Sequence, residues 1–453
     1  MSQNRMLVMM AGAALSIGAS AFAQTANIDQ NRAYGAELVS DAASRTSLQG
    51  GSGYDKNGFM IGSADGQNTL YVFGSAQIRY YADFADQGDG ADNNNDFTHG
   101  FENRLTRIGV KGSVWDKNFT YQVRGEFGNT GVFRLETGFA AYKWDNGFGV
   151  MAGQFKSPLF RESMIDNEYQ LAVERSITDG FFGDSYSQGI QFTYAADAWR
   201  LWFGFTDGLN TANTPFNTGN SRSFITDRGE ADYALNARAE FKVMGSNWER
   251  FDDFTSWKSS EDTGILIGVA GWWQDSGDTG GTGGVDAGGE AIPGLQNLLY
   301  TVDVQFEGQG WNAFAAFLGT HQDTDTEDST STDDFGLVAQ AGIFVTDQVE
   351  LFGRYDGTYF DEDRLDPGTG EGAEDQHFIT AGVNYYLSPE SHAAKLTVDA
   401  IYAVERADGI FAAGIPDDAD FSAGPLAGTT QYGLLGSPED GEFALRVQLQ
   451  VVY

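Results

Sequence analysis

Four consecutive runs of alternating polar and apolar residues, between residues 103 and 156, constrain the fold of this chain more than any other feature. In the run over residues 118–128, Phe119, Tyr121 and Val123 alternate with polar side chains. Such alternation places one set on each face of a β-strand, and the very short breaks between runs force neighbouring strands to be antiparallel. Each run has the length of a membrane strand, about 10 residues, and its polar face carries full charges. We therefore predict a transmembrane β-barrel with lipid outside and water inside.

The same alternation continues along the chain and predicts an all-β, 16-stranded antiparallel barrel over residues 70–453. The predicted strands are 70–84, 103–115, 118–128, 131–144, 147–156, 187–196, 198–207, 232–244, 262–274, 298–308, 310–321, 335–345, 348–360, 377–388, 393–406 and 442–453. Short and long connections alternate between them, apart from the long segment 245–261 and the short break 129–130. This rhythm is typical of outer-membrane barrels, which have short periplasmic turns and long extracellular loops. It predicts that both termini lie in the periplasm.

Both ends of the chain carry features of an exported barrel. Residues 1–23 combine Arg5, an apolar stretch and an Ala-x-Ala site, which is typical of a cleaved signal peptide. A transmembrane helix is the less favoured alternative there, because small residues interrupt the segment. We expect residues 24–69 to form a flexible periplasmic lead-in, with a short helix at 28–48 as the alternative. The alternating last strand ends at Tyr453, like the C-terminal assembly signal of outer-membrane barrels.

The composition argues against several other functions. The chain has 64 acidic and 27 basic residues, a net charge of −37, which excludes nucleic acid as a partner because binding a polyanion needs a basic surface. It has no Cys, so neither a disulfide framework nor a cysteine-based metal site can form. No hydrolase, zinc-protease or nucleotide-binding motif is present, and His377 has no suitably placed Ser for a hydrolase. We predict no enzymatic activity, no metal and no cofactor.

Several pieces of the sequence resemble the phosphate-selective porin O and P family. They are, in order, NRLTRIGVKGSVWDKNFTYQVRGEFGN, FAAYKW, VMAGQFKSPLFRESM and AVERS. The resemblance covers about residues 70–185. It implies a trimeric porin of the bacterial outer membrane, with the loop after GQFKSP folded into the lumen. It does not fix phosphate as the solute, because the family includes many members of unknown selectivity.

A water-filled pore needs inward polar side chains, and its ion preference comes from rings of one charge sign. Alternation turns nine cations and four acids inward up to Lys242, but three cations and five acids after it. Arg and Lys suit phosphate-like anions. With two residues of the loop after the fifth strand, the predicted pore-lining, anion-contacting residues are Arg79, Arg107, Lys111, Arg124, Arg134, Lys156, Arg161, Arg175, Arg200, Arg238 and Lys242. An open alternative is that these cations only pair with Glu126, Glu136 and Glu240.

Residues 157–186 are the candidate constriction. The segment is too long for a passive turn, and an inward fold would make Lys156, Arg161 and Arg175 the basic residues at the narrowest point. The alternative is an outward surface loop. Other long loops are acidic: residues 361–376 hold seven acids and 323–334 hold six.

Residues 83–102 are loosely like a calcium loop, but they lack the Gly and the terminal Glu at EF-hand spacing. A solvated acidic loop is therefore the favoured interpretation. A further hypothesis is that the acidic loops bind divalent cations diffusely and bridge to anionic outer-leaflet lipid.

We therefore predict an outer-membrane porin for passive diffusion of small hydrophilic solutes, with a preference for anions such as phosphate. Its expected partners are outer-membrane lipid, small anionic or neutral solutes and, from the resemblance, two further copies of the chain. One alternative is a structural or adhesive outer-membrane surface protein whose barrel anchors acidic loops. Another is a soluble secreted β-sandwich or solenoid.

Overall fold

The computed structural model describes most of the predicted barrel and none of the first 51 residues. The described residues are 52–55, 58–85, 97–128, 131–183, 186–209, 211–213, 231, 233–260, 262–276, 295–324, 331–364, 372–406, 432–437 and 439–453. The predicted signal peptide 1–23 and the alternative helix at 28–48 lie outside them. Most of the calcium-like loop, residues 86–96, and parts of the two acidic loops also lie outside them.

The described residues form strands almost throughout. The strands are β1 (Ser52–Asp55), β2 (Gly58–Gly62), β3 (Thr69–Phe84), β4 (Phe97–Val114), β5 (Asp116–Phe127), β6 (Phe133–Lys143), β7 (Phe148–Lys156), β8 (Tyr186–Ala195), β9 (Trp199–Thr206), β10 (Tyr233–Met244), β11 (Gly264–Ser276), β12 (Leu295–Glu307), β13 (Trp311–Thr324), β14 (Thr332–Phe344), β15 (Val349–Tyr359), β16 (Gln376–Tyr386), β17 (Ala394–Ala403) and β18 (Phe443–Val452). Strands β3 to β18 correspond one to one to the sixteen predicted strands. The largest difference is at β4, which starts at Phe97 rather than at residue 103 because it pairs with β3 over its whole length.

Strands β3 to β18 close into an antiparallel barrel. Each strand pairs with the next one in the chain. The last strand then pairs with the first, with Phe443 opposite Phe84 and Val452 opposite Ser75. Closure leaves no open sheet edge, which is the condition for a sheet to span a membrane. The predicted 16-stranded barrel is confirmed, and the soluble sandwich is wrong.

A short hairpin, β1–β2, precedes the barrel and was not predicted. Strand β2 pairs with Thr69–Val72 at the start of β3. Both β2 and β18 pair with the same edge of β3, β2 at its start and β18 further along it. This hairpin falls within the segment expected to be a flexible lead-in, where a short, glycine-rich run gave too few alternating residues to predict a strand. The barrel wall is therefore extended at one point by two extra strands.

Apolar side chains cover the outer face of the barrel. Exposed aliphatic residues in mid-strand include Val123, Leu201, Val269 and Leu337. Exposed aromatic residues form two belts. At the end with the short connections, here called the turn end, they include Trp115, Trp144, Phe148, Trp199 and Trp311; at the opposite loop end they include Phe84, Phe97, Phe127, Phe133 and Tyr233. Such belts mark the two interfaces of a membrane.

The hydrophobic core lies inside the barrel, mainly under β11 to β18. Trp272, Phe314 and Phe352 point inward from β11, β13 and β15 and are almost completely buried. They share a cluster with Leu159 and Phe182, from the connection between β7 and β8. In the described part of the chain, no helix has the length and apolar character needed to cross a membrane. Part of the interior is thus packed like a protein core.

Candidate pore lining and constriction

The long connection between β7 and β8 lies within the ring of strands. Its described part, residues 157–183, is here called the inner segment. It contains two short helices, α1 (Arg161–Met164) and α2 (Ile177–Phe182). Nearly every residue in it is buried, including Glu162 and Asp179. A segment this rich in buried charge needs partners on the barrel wall.

Apolar contacts hold the inner segment against the β11–β18 wall. Helix α2 packs on β13, β14 and β15. At Gly336 of β14 there is no room for a Cβ, because the side chains of Thr178 and Phe182 lie there. Phe181 packs edge-to-face against Phe360, with their ring centroids 5.0 Å apart. This side of the lumen is filled by protein.

Carboxylates and a lysine of the barrel wall form hydrogen bonds with backbone N–H and carbonyl groups of the inner segment. The Asp356 carboxylate accepts the N–H groups of Ile177 at 3.0 Å and Thr178 at 3.3 Å. The Asp399 carboxylate accepts the N–H of Val173 at 2.9 Å, and Lys395 donates to the carbonyl of Gln170 at 2.8 Å. These anchoring residues belong to β15 and β17. The inner segment is therefore held by strands that come much later in the sequence.

Arg354 and Arg175 complete this anchoring. Arg354 donates to the carbonyl oxygens of Glu174 at 2.9 Å and Arg175 at 3.2 Å. Arg175 in turn donates to the carbonyls of Glu162 at 3.1 Å and Ile165 at 2.8 Å. Arg175 was predicted to contact anions in the pore. The structure places its guanidinium inside the fold of the inner segment instead, where it binds backbone oxygens.

Buried ion pairs join the inner segment to the opposite, basic wall. Arg107 on β4 lies 2.7 Å from Glu136 on β6 and 2.9 Å from Glu168 of the inner segment. Arg124 on β5 lies 2.7 Å from Glu136 and 2.8 Å from Asp166. Cross-strand pairing with Glu136, the alternative left open by the sequence, is thus present. These two arginines are nearly inaccessible to water.

A second network surrounds Glu240 on β10. Its carboxylate lies 2.6 Å from Arg200, 2.9 Å from Arg238 and 3.2 Å from Arg161. Arg238 also reaches across β11 to Asp303 on β12, at 2.8 Å. Arg161, Arg238 and Glu240 are buried, whereas the Arg200 side chain stays 18% exposed. Three of the predicted pore cations therefore meet at one carboxylate, but only one of them also faces water.

The third network includes Arg104, which is not among the predicted pore cations. Arg79 on β3 lies 2.8 Å from Glu174 of the inner segment, and Arg104 on β4 lies 3.8 Å from the same carboxylate. The pairing of β3 with β4 shifts by one residue next to Arg104. Such a bulge re-aims a side chain, so strict alternation missed this residue.

The predicted pore residues fall into two groups according to their exposure to solvent. Arg79, Arg107, Arg124, Arg161, Arg175 and Arg238 are buried. Lys111, Arg134, Lys156, Arg200 and Lys242 keep intermediate exposure. The second group runs along the interior from the loop end, at Arg134 and Lys156, to the turn end, at Lys111, Arg200 and Lys242.

The acids paired with Arg134 and Arg200, Glu126 and Glu240, are fully buried. Water therefore reaches mainly cations along this wall, with Asp166 as an accessible acid beside Lys156.

Charge pairing fixes the ionisation of the acids in the inner segment. Burial by itself would raise the pKa of Glu174, but the charges of Arg79, Arg104 and Arg175 outweigh it and lower the pKa to about 2. Burial likewise opposes ionisation of Asp166, where the neighbouring Arg124 and Lys156 hold the pKa well below its usual range. Both carboxylates remain charged at neutral pH, so the pairs persist.

The comparisons with known proteins agree with this architecture. The sequence profile of the phosphate-selective porin O and P family matches residues 75–264. These residues match that family, as the sequence motifs indicated. The match contains most of the inward cations, the whole inner segment and the strands of the basic wall. No curated protein sequence matches the chain.

Solved structures share the fold at low sequence identity. An anion-selective porin from Comamonas acidovorans has a TM-score of 0.54 and 14% identity, covering 85% of this chain and 100% of that one. The trimer form of OmpT, an outer membrane protein of Vibrio cholerae, has a TM-score of 0.50 and 13% identity, covering 85% and 99%. OprB of Pseudomonas putida has a TM-score of 0.51 and 11% identity, covering 84% and 94%. At these identities the likeness establishes the barrel fold.

Proposed function

We propose that this protein is an outer-membrane porin that lets small hydrophilic solutes diffuse passively, with a preference for anions such as phosphate. The observation that carries the proposal is the unequal exposure of charge in the barrel. Along the wall formed by β4 to β10, contact with water is kept by five cations, Lys111, Arg134, Lys156, Arg200 and Lys242. The acids paired with Arg134 and Arg200, Glu126 and Glu240, are buried. A diffusing anion therefore meets mainly positive charge, although the chain as a whole is acidic.

The proposed mechanism needs no chemical step and no cofactor. An anion that enters at the loop end meets Arg134 and Lys156 and then descends toward Arg200, Lys242 and Lys111. Each cation replaces part of the anion's hydration shell, and because each side chain stays partly hydrated, the anion is not held tightly. The inner segment forms the constriction in this proposal, since it fills the opposite half of the lumen.

The location and assembly rest on the fold and on its relatives. A closed barrel with an apolar outer face and two aromatic belts suits the bacterial outer membrane, with the turn end in the periplasm and residues 1–23 as the export signal. The trimer form of OmpT supports a homotrimer, and the anion-selective porin of Comamonas supports the ion preference. Outer-membrane lipid is the second expected partner.

Planar-bilayer recording tests the proposal. The purified protein should give step currents, and the reversal potential under a salt gradient should indicate a preference for anions. Lys242→Gln should reduce this preference, because its recorded contacts are the Trp248 ring and the carbonyl of Ser246 rather than a carboxylate. Lys117→Gln is the matched control, since Lys117 lies exposed on β5 with its side chain on the outer face.

Two results would count against the proposal. Absence of step currents from folded protein would favour the structural or adhesive surface protein. A cation-selective reversal potential would keep the pore but remove the anion preference.

A further inference from the structure

The one long connection at the turn end also folds into the barrel. Residues 245–260, here called the floor segment, join β10 to β11 and contain a single turn of 3-10 helix at Glu249–Phe251. Phe251 and Phe254 are completely or almost completely buried, as are Thr255 and Ser256. A solvated turn would not bury these side chains. The floor segment therefore has a fixed place inside the barrel mouth.

Backbone contacts fix the floor segment to the barrel wall and to the inner segment. Phe254 N–H donates to the Tyr169 carbonyl of the inner segment at 3.3 Å. The Gln305 side-chain amide on β12 donates to the carbonyl of Asp253 at 2.6 Å. Gly310 N–H donates to the carbonyl of Trp257 at 3.2 Å. The floor segment thus lies across β12 and the β12–β13 turn, and it supports the inner segment from the turn end.

An aromatic cluster holds the far end of the floor segment. The Trp257 ring lies 4.8 Å from that of Tyr386, 5.3 Å from Phe344 and 5.3 Å from His392. These partners come from β14, β16 and the turn after β16. Because aromatic pairs at such separations are favourable, Trp257 fixes the segment on the wall opposite the basic residues.

The near end of the floor segment meets the basic wall. The Arg200 guanidinium lies 4.2 Å from the centre of the Trp248 ring and 5.3 Å from Trp202, so it is held between two indoles. Lys242 lies 5.1 Å from the same Trp248 ring. Cation–π contacts of this kind hold a cation without neutralising it. The floor segment therefore spans the lumen from its basic wall to its packed wall.

Asp252 presents a carboxylate at this point. Its side chain is exposed, although Phe251 and Phe254 on either side are buried. The enclosing barrel mouth raises the pKa of Asp252, and the charges of Arg200 and Arg161 oppose that rise. Asp252 directly follows the 3-10 turn that begins after Trp248, so it lies at the end of the floor segment that meets the basic wall.

We propose that the floor segment is a second constriction, at the turn end, in which Asp252 sets part of the ion preference by opposing the basic lining. This inference rests on the proposed porin function. An anion that has passed the cations of the wall meets a negative charge at the exit, which weakens its hold there and limits anion selectivity. Asp252 is thus a residue that determines specificity, outside the set predicted from the sequence.

Neutralising Asp252 tests whether its charge affects the ion selectivity. Asp252→Asn should raise the ratio of anion to cation permeability, measured from the reversal potential, by about twofold, the effect of one partly exposed charge. Asp252→Lys should raise it further. Asp145→Asn is the matched control, because Asp145 is an exposed carboxylate of the β6–β7 turn at the same end. Equal reversal potentials for Asp252→Asn and wild type would overturn the role of Asp252.

Chemical modification tests the constriction without shortening the chain. The protein has no native cysteine, so Asp252→Cys offers a single thiol to a bulky charged methanethiosulfonate during recording. We expect single-channel conductance to fall on modification. Lys258→Cys, at an exposed position of the same segment that faces Asp347 of the β14–β15 turn, should give no change. Unchanged conductance in labelled Asp252→Cys, with labelling confirmed by mass, would overturn the second constriction.

These outcomes are separable from failure of the proposed function. If folded wild-type protein gives no step currents, the porin proposal fails and this inference fails with it. If wild-type protein conducts and neither Asp252 variant differs from it, only the second constriction fails.

Discussion

Single glycines on the inner face let charged side chains from two flanking strands meet across the strand between them. Gly268 on β11 lies between Glu240 on β10 and Asp303 on β12 in the sheet register. A Cβ at Gly268 would overlap both the Arg238 guanidinium and the Asp303 carboxylate. The absence of a side chain there is what allows this buried ion pair to form.

Gly268→Ala should therefore destabilise the barrel. We expect a loss of about 1–3 kcal/mol, since the extra methyl group overpacks a buried site and pushes an ion pair apart. The measurement is the temperature at which the folded, heat-modifiable band disappears in electrophoresis. Gly271→Ala on the same strand is the control, because a Cβ there would meet only a carbonyl oxygen at 3.8 Å. Equal melting of the two variants would contradict the argument.

At the residue scale, the sequence predicted which face of the barrel a side chain occupies better than it predicted the ion-pair partner of that side chain. Period-2 alternation placed Arg107, Arg124 and Arg238 on the inner face, because a strand can expose only two faces. It could not predict that their carboxylates would include Glu168 and Asp166, since that depends on how a distant segment folds back. Arg104 was not among the predicted inward cations, because one bulge reverses the alternation.

The inner and floor segments are the elements that convert a plain barrel into a narrowed one. The inner segment was expected to fold inward on the grounds of its length and of the family resemblance. The floor segment was noted only as an exception to the short turns. Its signal lies in the sequence: Trp248, Phe251, Phe254 and Trp257 recur every three residues, which is unusual for a solvated turn.

Acid should release the inner segment from β3. The pKa of Glu174 is depressed to about 2 in the docked state, against an ordinary value of 4.5. A depressed pKa stabilises the docked state fully above pH 4.5 and progressively less as the pH falls toward 2. The docked state should lose about 3 kcal/mol of stability. We expect this loss to appear as rising open-channel noise below pH 4.5.

Glu174→Gln provides the comparison for this pH effect. The variant should be noisier than wild type at neutral pH, because Arg79 and Arg104 lose their ion pairs with Glu174. Its noise should change less between pH 5 and pH 3 than that of the wild type. A variant with the same pH profile as the wild type would show that another group governs the release.

On the scale of the whole molecule, the barrel interior is divided lengthwise. One half, under β11 to β18, is packed with apolar side chains and buried ion pairs. The other half, along β4 to β10, also contains buried arginines, but it keeps five cations in contact with water, Lys111, Arg134, Lys156, Arg200 and Lys242. The sequence indicated this division through an excess of inward cations before Lys242. It could not indicate that the half under β11 to β18 is packed, because the apolar residues that fill it come from both the strands and the inner segment.

Tyr453, directly after β18, adds to the pairing that closes the barrel. The Tyr453 backbone exchanges two hydrogen bonds with Gly74, of 2.8 and 2.9 Å, and its hydroxyl donates to the Arg107 carbonyl at 3.4 Å. Deleting Tyr453 should cost about 1–3 kcal/mol, from two backbone bonds of about 1 kcal/mol each and lost packing. Thermal loss of the heat-modifiable band measures the effect. Tyr453→Phe keeps both backbone bonds and should melt close to wild type; equally large losses in both would contradict the argument.

The anchoring of the inner segment has a consequence for the order of events during biogenesis. Its backbone is held by Asp356, Lys395 and Asp399, which belong to strands made long after it. Residues 157–183 therefore lack this part of their docking surface until β15 to β17 have joined the sheet. A nascent barrel would pass through a wide, leaky stage, and the narrowing of its channel would come among the final steps of maturation.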